Sequence, residues 1–334
     1  MRAGKITEPQ CKRSVLKWLN HKPELVKQGA GIGVDYSILH SNMSDNSVLT
    51  MATVSLPTYE SEKYAFWKAL NKLEASGAKP CAILASVFLP ARGGEERIRQ
   101  ITQHLTELCN GYDIGYAGGH TELIESLRAP VITITAYGIP SEDGNLIYNP
   151  IKQRNREQDI VMIGQAAMET SMMLLSDHYE ELHTRYSSTY LDQARELLSN
   201  LSMHNAYSVL HQSEIPVTYI HNLSTGGVYA GLWELSEACR CGIQAELRQI
   251  PILQETIEVC EYYDINPYMT FSGGSALIVT DSGDDLEDYL KNHNIYARKV
   301  GHTTTGNDRI VCSDDSKSYL TPPKGDDSYK LYGR

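Results

Sequence analysis

The hydrophobic positions of the chain alternate between spacings typical of helices and spacings typical of strands. Between residues 60 and 76, apolar side chains recur at steps of three and four residues, which predicts an amphipathic helix. Gly77 follows directly, as is typical of a helix end, and Pro80 prevents the helix from continuing. The continuous apolar run over residues 81–88 then predicts a buried strand.

The same two periodicities continue as far as about residue 301. Further helices are predicted over residues 9–19, 98–111, 165–177, 191–201, 206–211, 228–238, 256–263 and 286–292. Further strands are predicted over residues 114–117, 131–138, 159–163, 217–221, 276–280 and 296–301. This alternation of strands and helices predicts an α/β fold.

A polar stretch with turn-forming residues, 140–158, interrupts the pattern and predicts a domain boundary. We therefore expect an N-terminal domain over residues 1–150 and a C-terminal domain over residues 151–312, each large enough to bury its own core. Residues 313–334 are polar and include prolines and glycines, which predicts an exposed tail.

Composition and charge narrow the classes of function. Hydrophobic residues make up 41% of the chain and charged residues 21%, as is usual for a folded domain. The formal net charge of −11 repels a phosphate backbone, so we expect no nucleic-acid binding, while a small phosphorylated ligand stays open. Apolar runs are shorter than the about 20 residues that cross a bilayer, and the N-terminus lacks the apolar core of a signal peptide. We therefore expect a cytoplasmic protein without a membrane association.

The spacing of the cysteines and histidines does not indicate a metal or catalytic site. The seven cysteines are scattered, and Cys239 and Cys241 have the only close spacing, so we expect free thiols rather than a metal centre. His120 and His221 are of interest because of the segments in which they lie. For each of them a structural role and a ligand-binding role stay open.

Four glycine-rich or turn-forming segments beside predicted strands or helices carry the candidate chemistry. They are residues 31–35, 71–80, 118–122 and 221–228. Glycine lets backbone N–H groups approach a phosphate closely, and a helix N-terminus adds a favourable dipole. Thr225, Gly226 and Gly227 have this arrangement, because a predicted helix follows them directly. A Gly-Gly pair alone is more often a turn than a phosphate site. The four segments therefore indicate a phosphate-binding site only when they are considered together.

Taken in order, these segments resemble the AIR synthase-related, or PurM-like, superfamily. That superfamily includes aminoimidazole ribonucleotide synthetase, thiamine-monophosphate kinase, selenophosphate synthetase and HypE, and the chain looks most like the HypE-like hydrogenase-maturation branch. The resemblance covers nearly the whole chain. The segments that carry it are residues 4–17, 31–35, 159–169, 227–234, 250–256, 263–267 and 272–277.

The resemblance implies a two-domain α/β (α+β) fold in which N-terminal mixed sheets with helices pair across a homodimer and a C-terminal α/β domain follows. It also implies an ATP-dependent enzyme that phosphorylates or activates a carbonyl or amide oxygen of a small molecule. Mg²⁺ ions held by aspartates would neutralise the triphosphate. The matching positions of the nucleotide site are Asp35 (also the implied metal ligand), Asn71, Lys72, Gly118, Gly119, His120, Thr121, Thr225, Gly226 and Gly227.

The chain departs from the family at most of its acidic positions. An aspartate that the family has near residues 54–56 is absent, and Lys72 replaces a second one. His120 occupies a position that is aspartate in some branches, and Asn222 replaces an aspartate in the C-terminal loop. Among the expected carboxylates, Asp35 alone is clearly kept.

Lys72 leaves two interpretations open. Its ammonium group could replace a magnesium ion and contact phosphate directly. Alternatively the site no longer binds a triphosphate, and Lys72 packs or pairs with an acid such as Glu74; the number of lost acids favours this second interpretation. The chain is accordingly either a diverged ATP-dependent enzyme with an altered Mg–ATP site or a non-catalytic dimeric protein. The latter would be a ligand-binding or maturation scaffold that has lost Mg–ATP chemistry.

Overall fold

The computed structural model describes residues 8–14, 16, 26–40, 46–91, 94–141, 146–147, 156–314 and 316–332. The chain divides into two compact units. The N-terminal unit comprises Glu24–Gln28 and Tyr36–Leu146, and the C-terminal unit comprises Met1–Pro23, Gly29–Asp35 and Ile147–Arg334. Parts of the predicted helix 9–19 and of the segment 4–17, and most of the predicted boundary 140–158, lie outside the described residues.

The described residues form eleven α-helices and thirteen β-strands. The helices are α1 Glu8–Ser14, α2 Ser61–Ala75, α3 Gly94–Tyr112, α4 Met168–Asp177, α5 Tyr179–Leu182, α6 Ser188–Leu198, α7 His204–His211, α8 Gly227–Cys239, α9 Gln254–Tyr262, α10 Gly283–Asn292 and α11 Tyr329–Tyr332. The strands are β1 Val26–Gln28, β2 Ser37–His40, β3 Asn46–Val54, β4 Ala78–Pro90, β5 Gly115–Ile124, β6 Val131–Pro140, β7 Asp159–Ile163, β8 Val217–Asn222, β9 Gly242–Glu246, β10 Ala276–Thr280, β11 Ala297–Thr304, β12 Arg309–Ser313 and β13 Ser316–Tyr319.

The N-terminal unit is a six-stranded sheet with helices on one face. Its strand order is β1-β2-β3-β6-β4-β5, in which β4 and β5 run parallel and the other described pairs antiparallel. On β6, Ile132, Ile134 and Ala136 are buried and alternate with more exposed residues. Helix α2 packs against this sheet and buries Phe66 and Leu73. Apolar residues recur every two residues in the strands and about every 3.6 residues in the helices, so each element has one apolar face, and these faces pack together in this core.

The C-terminal unit is built on a seven-stranded sheet of order β13-β12-β9-β11-β7-β10-β8. Strand β10 lies between β7 and β8 and is buried along its whole length, which explains its uninterrupted apolar sequence. Helix α8 packs on the sheet through Val228, Leu232 and Leu235, which share one apolar cluster with residues of the strands. A second apolar cluster joins α4, α5, α6 and α9.

One predicted turn is a strand. The sequence places Gly118, Gly119, His120 and Thr121 in a turn after a short strand, but β5 continues through all four to Ile124. A bulge between Tyr116 and Gly118 shifts the register against β4, and pairing then resumes. The backbone pairing with β4 overrides the weak local strand preference of two glycines.

The C-terminal segment is only in part the exposed tail that the sequence predicts, because β13 is exposed whereas the residues after it dock on the C-terminal unit. Strand β13 pairs antiparallel with β12, and α11 contributes Leu331 and Tyr332 to the second apolar cluster. Asp326 and Ser328 are buried. A polar composition conceals this docking, because a few apolar side chains such as Leu331 and Tyr332 are combined with a carboxylate, Asp326, that docks through hydrogen bonds.

All seven cysteines lie in the described part of the chain and are free thiols. None of the described helices is both long enough and apolar enough to cross a bilayer.

Candidate functional site

The turn that carries Asp35 is fixed by a glycine. Residues 31–34 form a turn in which the Val34 N–H donates to the Gly31 carbonyl at 3.3 Å. Gly33 has a φ of +73°, and a Cβ there would overlap the carbonyl oxygen of Glu234. Glycine is therefore required at this position. The turn packs directly against α8 and places Asp35 beside the end of β8.

Asp35, His221 and Glu234 form a buried cluster in the C-terminal unit, which we call the acid–histidine cluster. His221 lies between the two carboxylates, with Nδ1 at 3.3 Å from Asp35 Oδ2 and Nε2 at 3.2 Å from Glu234 Oε2. The side chains of His221, Asp35 and Glu234 are 3%, 8% and 13% exposed. Asp35 Oδ2 also accepts a hydrogen bond from the Asn222 backbone N–H at 2.9 Å. The imidazole stacks on the ring of Tyr219.

Two opposing effects set the charge of His221. Burial alone lowers the pKa of an imidazole, because the charged form loses its hydration. The carboxylates of Asp35 and Glu234 act in the opposite direction and prevail, so the pKa of His221 is raised to about 9. His221 is therefore an imidazolium at neutral pH and neutralises one of the two buried negative charges.

The surroundings of Asp35 do not fit the magnesium-ligand role that the resemblance implies. Its Oδ2 faces the His221 imidazolium and accepts the Asn222 N–H. Magnesium needs several hard oxygen ligands in a near-octahedral arrangement. Among the described residues, no group of three or more His, Cys, Asp or Glu side chains could hold a metal ion. The cation beside Asp35 is an imidazolium supplied by the chain itself.

Lys72 lies in the last turn of α2, in the N-terminal unit, and Asn71 directly precedes that turn. Asn71 and Glu74 are buried, whereas Lys72 is half-buried. Near residues 54–56, where the resemblance implies an acid, Val54 and Leu56 are buried in the core and Ser55 is exposed.

Segment 118–121 lies on the edge strand β5 and contains a glycine that strand packing requires and an exposed histidine. Gly119 has a φ of +153°, and a Cβ there would overlap the carbonyl oxygen of Ala85 on β4. This glycine is required by the close approach of the two strands. His120 is exposed, and its Nε2 lies 3.2 Å from Glu122 Oε2. Solvent or a ligand can therefore reach the His120 imidazole.

The loop Thr225–Gly227 begins helix α8, as the sequence predicts, and Gly226 is its N-cap residue with a φ of +83°. The Gly226 N–H donates to Asp326 Oδ2 at 2.6 Å. The Gly227 N–H donates to the Ser224 carbonyl at 3.0 Å. The loop therefore binds an anion at the helix end, and in this conformation the anion is a carboxylate of the same chain.

In the C-terminal unit the structure brings Asp35 and His221 into contact. In the N-terminal unit Asn71 and Lys72 lie on α2, and residues 118–121 lie on a separate element, β5. Sequence reasoning missed Glu234 and Asp326. Glu234 stands at an ordinary position of a predicted helix, and Asp326 lies in a polar segment, so neither has a spacing signal.

Comparisons with known proteins agree along the chain. The model of the AIR synthase related protein N-terminal domain matches residues 44–140, and that of the C-terminal domain matches residues 156–312. A protein of Methanocaldococcus jannaschii, provisionally named a hydrogenase expression/formation protein, is 21% identical over 324 residues, which cover 92% of this chain and 90% of that protein.

Solved structures share the fold. The crystal structure of E. coli HypE, a hydrogenase maturation protein, has a TM-score of 0.70 at 16% identity and covers 95% of this chain and 98% of that chain. The structure of AaThiL complexed with AMPPCP and TMP has a TM-score of 0.69 at 17% identity and covers 97% and 98%. The predicted PurM-like two-domain fold is confirmed. Because the two domain models together match most of its length, the chain belongs to the AIR synthase related protein family.

Proposed function

We propose that the protein is a diverged, cytoplasmic AIR synthase related protein that binds ATP and uses it to phosphorylate or activate a carbonyl or amide oxygen of a small molecule. The observation that carries this proposal is the extent of the family match. Both domains are present in one chain, and the likeness to AaThiL, whose structure holds AMPPCP, spans 97% of this chain. The proposed nucleotide-binding positions of the N-terminal unit are the matching residues of α2 and β5. In the C-terminal unit, the α8 loop is proposed by itself as a phosphate-binding position.

The proposed site handles the charge of the triphosphate differently from its relatives. About four negative charges of ATP need compensation in a partly buried cleft. The resemblance implies a magnesium ligand at the position of Lys72 on α2 and, in some branches of the family, at that of the exposed His120 on β5. Asp35, the kept acid, already faces an imidazolium. A lysine ammonium is a compact charge that can contact phosphate directly. We therefore expect ATP affinity that depends little on Mg²⁺.

Titration of the protein with ATP and ADP, each with and without Mg²⁺, tests this proposal by calorimetry and thermal melting. Binding to the folded state raises stability by about 2.7 kcal/mol at 100 times Kd. We expect ATP to raise Tm to a similar extent with and without Mg²⁺. In Lys72→Asp, which restores an acid, ATP affinity should fall without Mg²⁺ and recover when Mg²⁺ is added. The lack of ATP and ADP binding under all four conditions would contradict the proposed function.

An exposed apolar face supports the proposed homodimer. On the six-stranded sheet, the face opposite α2 and α3 carries Met51, Leu84, Tyr137 and Ile139, which are between 41% and 62% exposed. Thr53 and Thr133 also lie on this face and share a 2.8 Å hydrogen bond. Monomeric proteins rarely expose a contiguous apolar patch of this kind. A second copy with the same face would cover it through a twofold, self-complementary interface.

Leu84→Glu should dissociate the proposed dimer. Twofold symmetry would place two introduced carboxylates in one apolar interface, and their desolvation opposes association. We expect sedimentation to show a dimer for the wild type and a monomer for Leu84→Glu at the same concentration. Gln103→Glu, at an exposed position of α3 on the other side of the unit, is the matched control and should stay dimeric. A wild-type monomer at all concentrations would contradict this assignment.

A second candidate function is a non-catalytic scaffold that keeps the dimer and binds a ligand or a maturation partner without ATP chemistry. The observation that favours it is the internal use of groups that could serve a nucleotide. Asp35 pairs with His221, and the Gly226 N–H binds Asp326. The titration above separates the candidates, because a scaffold of this kind would dimerise through the same face and leave ATP unbound.

A further inference from the structure

Two cysteines lie together where helix α8 ends and strand β9 begins. Cys239 is the last residue of α8, and Cys241 directly precedes β9. Residues two positions apart do not face each other on a helix. Arg240 between them has a left-handed backbone with a φ of +53°, which ends the helix and turns the chain. The two thiols meet at this turn and form a hydrogen bond with each other.

The backbone of Cys241 is held at both of its polar groups by one serine. Its N–H donates to the Ser236 carbonyl at 3.2 Å, and its carbonyl accepts the Ser236 hydroxyl at 2.5 Å. The Ser236 hydroxyl in turn accepts a hydrogen bond from Arg309 Nε at 2.6 Å. These bonds fix the position of Cys241, so the contact between the two thiols is a property of the folded chain.

A guanidinium lies beside the pair and distinguishes its two thiols. Arg309 forms an ion pair with Glu237, and its Cζ lies 3.8 Å from the ring centroid of Trp233. The hydrogen bond with the Cys239 thiol lowers the pKa of the Cys241 thiol, and the charge of Arg309 also lowers it, against the effect of burial. The same hydrogen bond and burial raise the pKa of Cys239 well above its ordinary value. Cys241 is thus favoured as the thiolate, while Cys239 keeps its proton.

Two other buried thiols have a different environment. Burial raises the pKa of Cys109 to about 11 and that of Cys260 to about 12. Cys260 is 1% exposed, whereas Cys239 and Cys241 are each 7% exposed. The pair at the end of α8 therefore has a more reactive thiol and leaves access for a small reagent.

We propose that Cys239 and Cys241 are a redox-active dithiol that hydrogen peroxide converts into a reversible disulfide. The Cys241 thiolate attacks one peroxide oxygen, the O–O bond breaks, and a sulfenic acid forms on Cys241 while hydroxide leaves and is protonated to water. The Cys239 sulfur then attacks the Cys241 sulfur, loses its proton and displaces the sulfenic hydroxyl as a second water. In total the two thiols lose two protons and two electrons, and the peroxide is reduced to water. The reaction uses no nucleotide, so its outcome is independent of the proposed function.

Peroxide treatment of the folded wild-type protein tests the proposal. The remaining thiols are alkylated in denaturant, and digestion after glutamate leaves both cysteines in one peptide, residues 238–246. We expect this peptide to lose two hydrogen atoms about tenfold faster than Cys81, a partly exposed cysteine of β4, is oxidised. Dithiothreitol should then restore both thiols. Free thiols at Cys239 and Cys241 after Cys81 has been oxidised would overturn the proposal.

Two serine variants separate the roles of the two thiols. Cys239→Ser keeps the attacking thiol without its partner, so peroxide should leave a sulfenic acid on Cys241 that dimedone traps. Cys241→Ser keeps only the thiol of raised pKa and should give about tenfold less dimedone adduct at Cys239. Cys260→Ser removes another buried thiol of the same unit and, as the matched control, should form the disulfide at the wild-type rate. Trapping in neither serine variant of the pair, or equal trapping in both, would overturn the proposal.

Discussion

Replacing His221 with alanine is expected to destabilise the C-terminal unit by about 3–5 kcal/mol at neutral pH, the usual cost of removing one partner from a buried charge cluster. The two carboxylates of Asp35 and Glu234 would then remain buried without the cation between them. Water has little access to restore their hydration, since both side chains are largely buried. Urea unfolding at pH 7 measures the loss directly.

The same cluster predicts a pH dependence with a definite sign. The pKa of His221 is raised from 6.5 to about 9 in the folded protein. Its contribution is therefore fully present below pH 6.5 and is lost as the pH rises through about 9. The shift corresponds to a contribution on the order of 3 kcal/mol. We expect the free energy of unfolding to decrease across this window in the wild type and to lack this decrease in His221→Ala.

Two variants define what would count against this assignment. His293→Ala removes an exposed histidine of the same unit and should change stability by no more than about 0.5 kcal/mol, as for most surface substitutions. Asp35→Asn removes one of the charges that raise the pKa of His221 and should shift the stability decrease to lower pH. A wild-type protein whose stability is flat between pH 6.5 and 9 would show that His221 is not charged in the cluster.

The cluster also shows where sequence reasoning reaches its limit. The buried apolar run of β10 and the amphipathic spacing of α2 determine local structure, and both elements were predicted from that spacing. Asp35 and His221 were singled out by their segments, but their contact joins parts of the chain that are far apart in sequence. Such pairings are set by the tertiary fold. The spacing of residues along the sequence does not encode them.

The glycine pairs show a different limit of sequence analysis. Their positions are easily recognised in the sequence, but the structural reason for glycine at each position is not. A Gly-Gly pair can hold a phosphate or can permit a close backbone approach, and the sequence does not distinguish these. On β5 the structure shows a close approach, and at α8 it shows both a close approach and a bound carboxylate. The polar C-terminal segment is predicted to be an exposed tail because hydropathy gives no signal for a carboxylate that binds a helix end.

The last prediction uses this pair on β5, where Gly119→Ala should be far more harmful than Gly118→Ala. At Gly119 a Cβ would overlap the carbonyl oxygen of Ala85 and lie 2.7 Å from its carbonyl carbon, so rigid backbone would have to move. We expect a loss of about 4 kcal/mol or more, which is the range of exceptional strain. At Gly118 the nearest atom is a side-chain carbon of Leu84 at 3.9 Å, and the strain of its φ of +141° leaves a cost of about 1–3 kcal/mol.

Urea unfolding of both glycine variants, followed by circular dichroism and by limited proteolysis of β5, measures the difference. If the glycine pair serves the pairing of β4 and β5, Gly119→Ala unfolds at lower urea and β5 becomes a cleavage site. If the pair instead serves a nucleotide, Gly119→Ala keeps its stability and loses ATP affinity. The second outcome would contradict the strand-pairing role, because a Cβ at Gly119 cannot fit beside Ala85 unless the two strands separate.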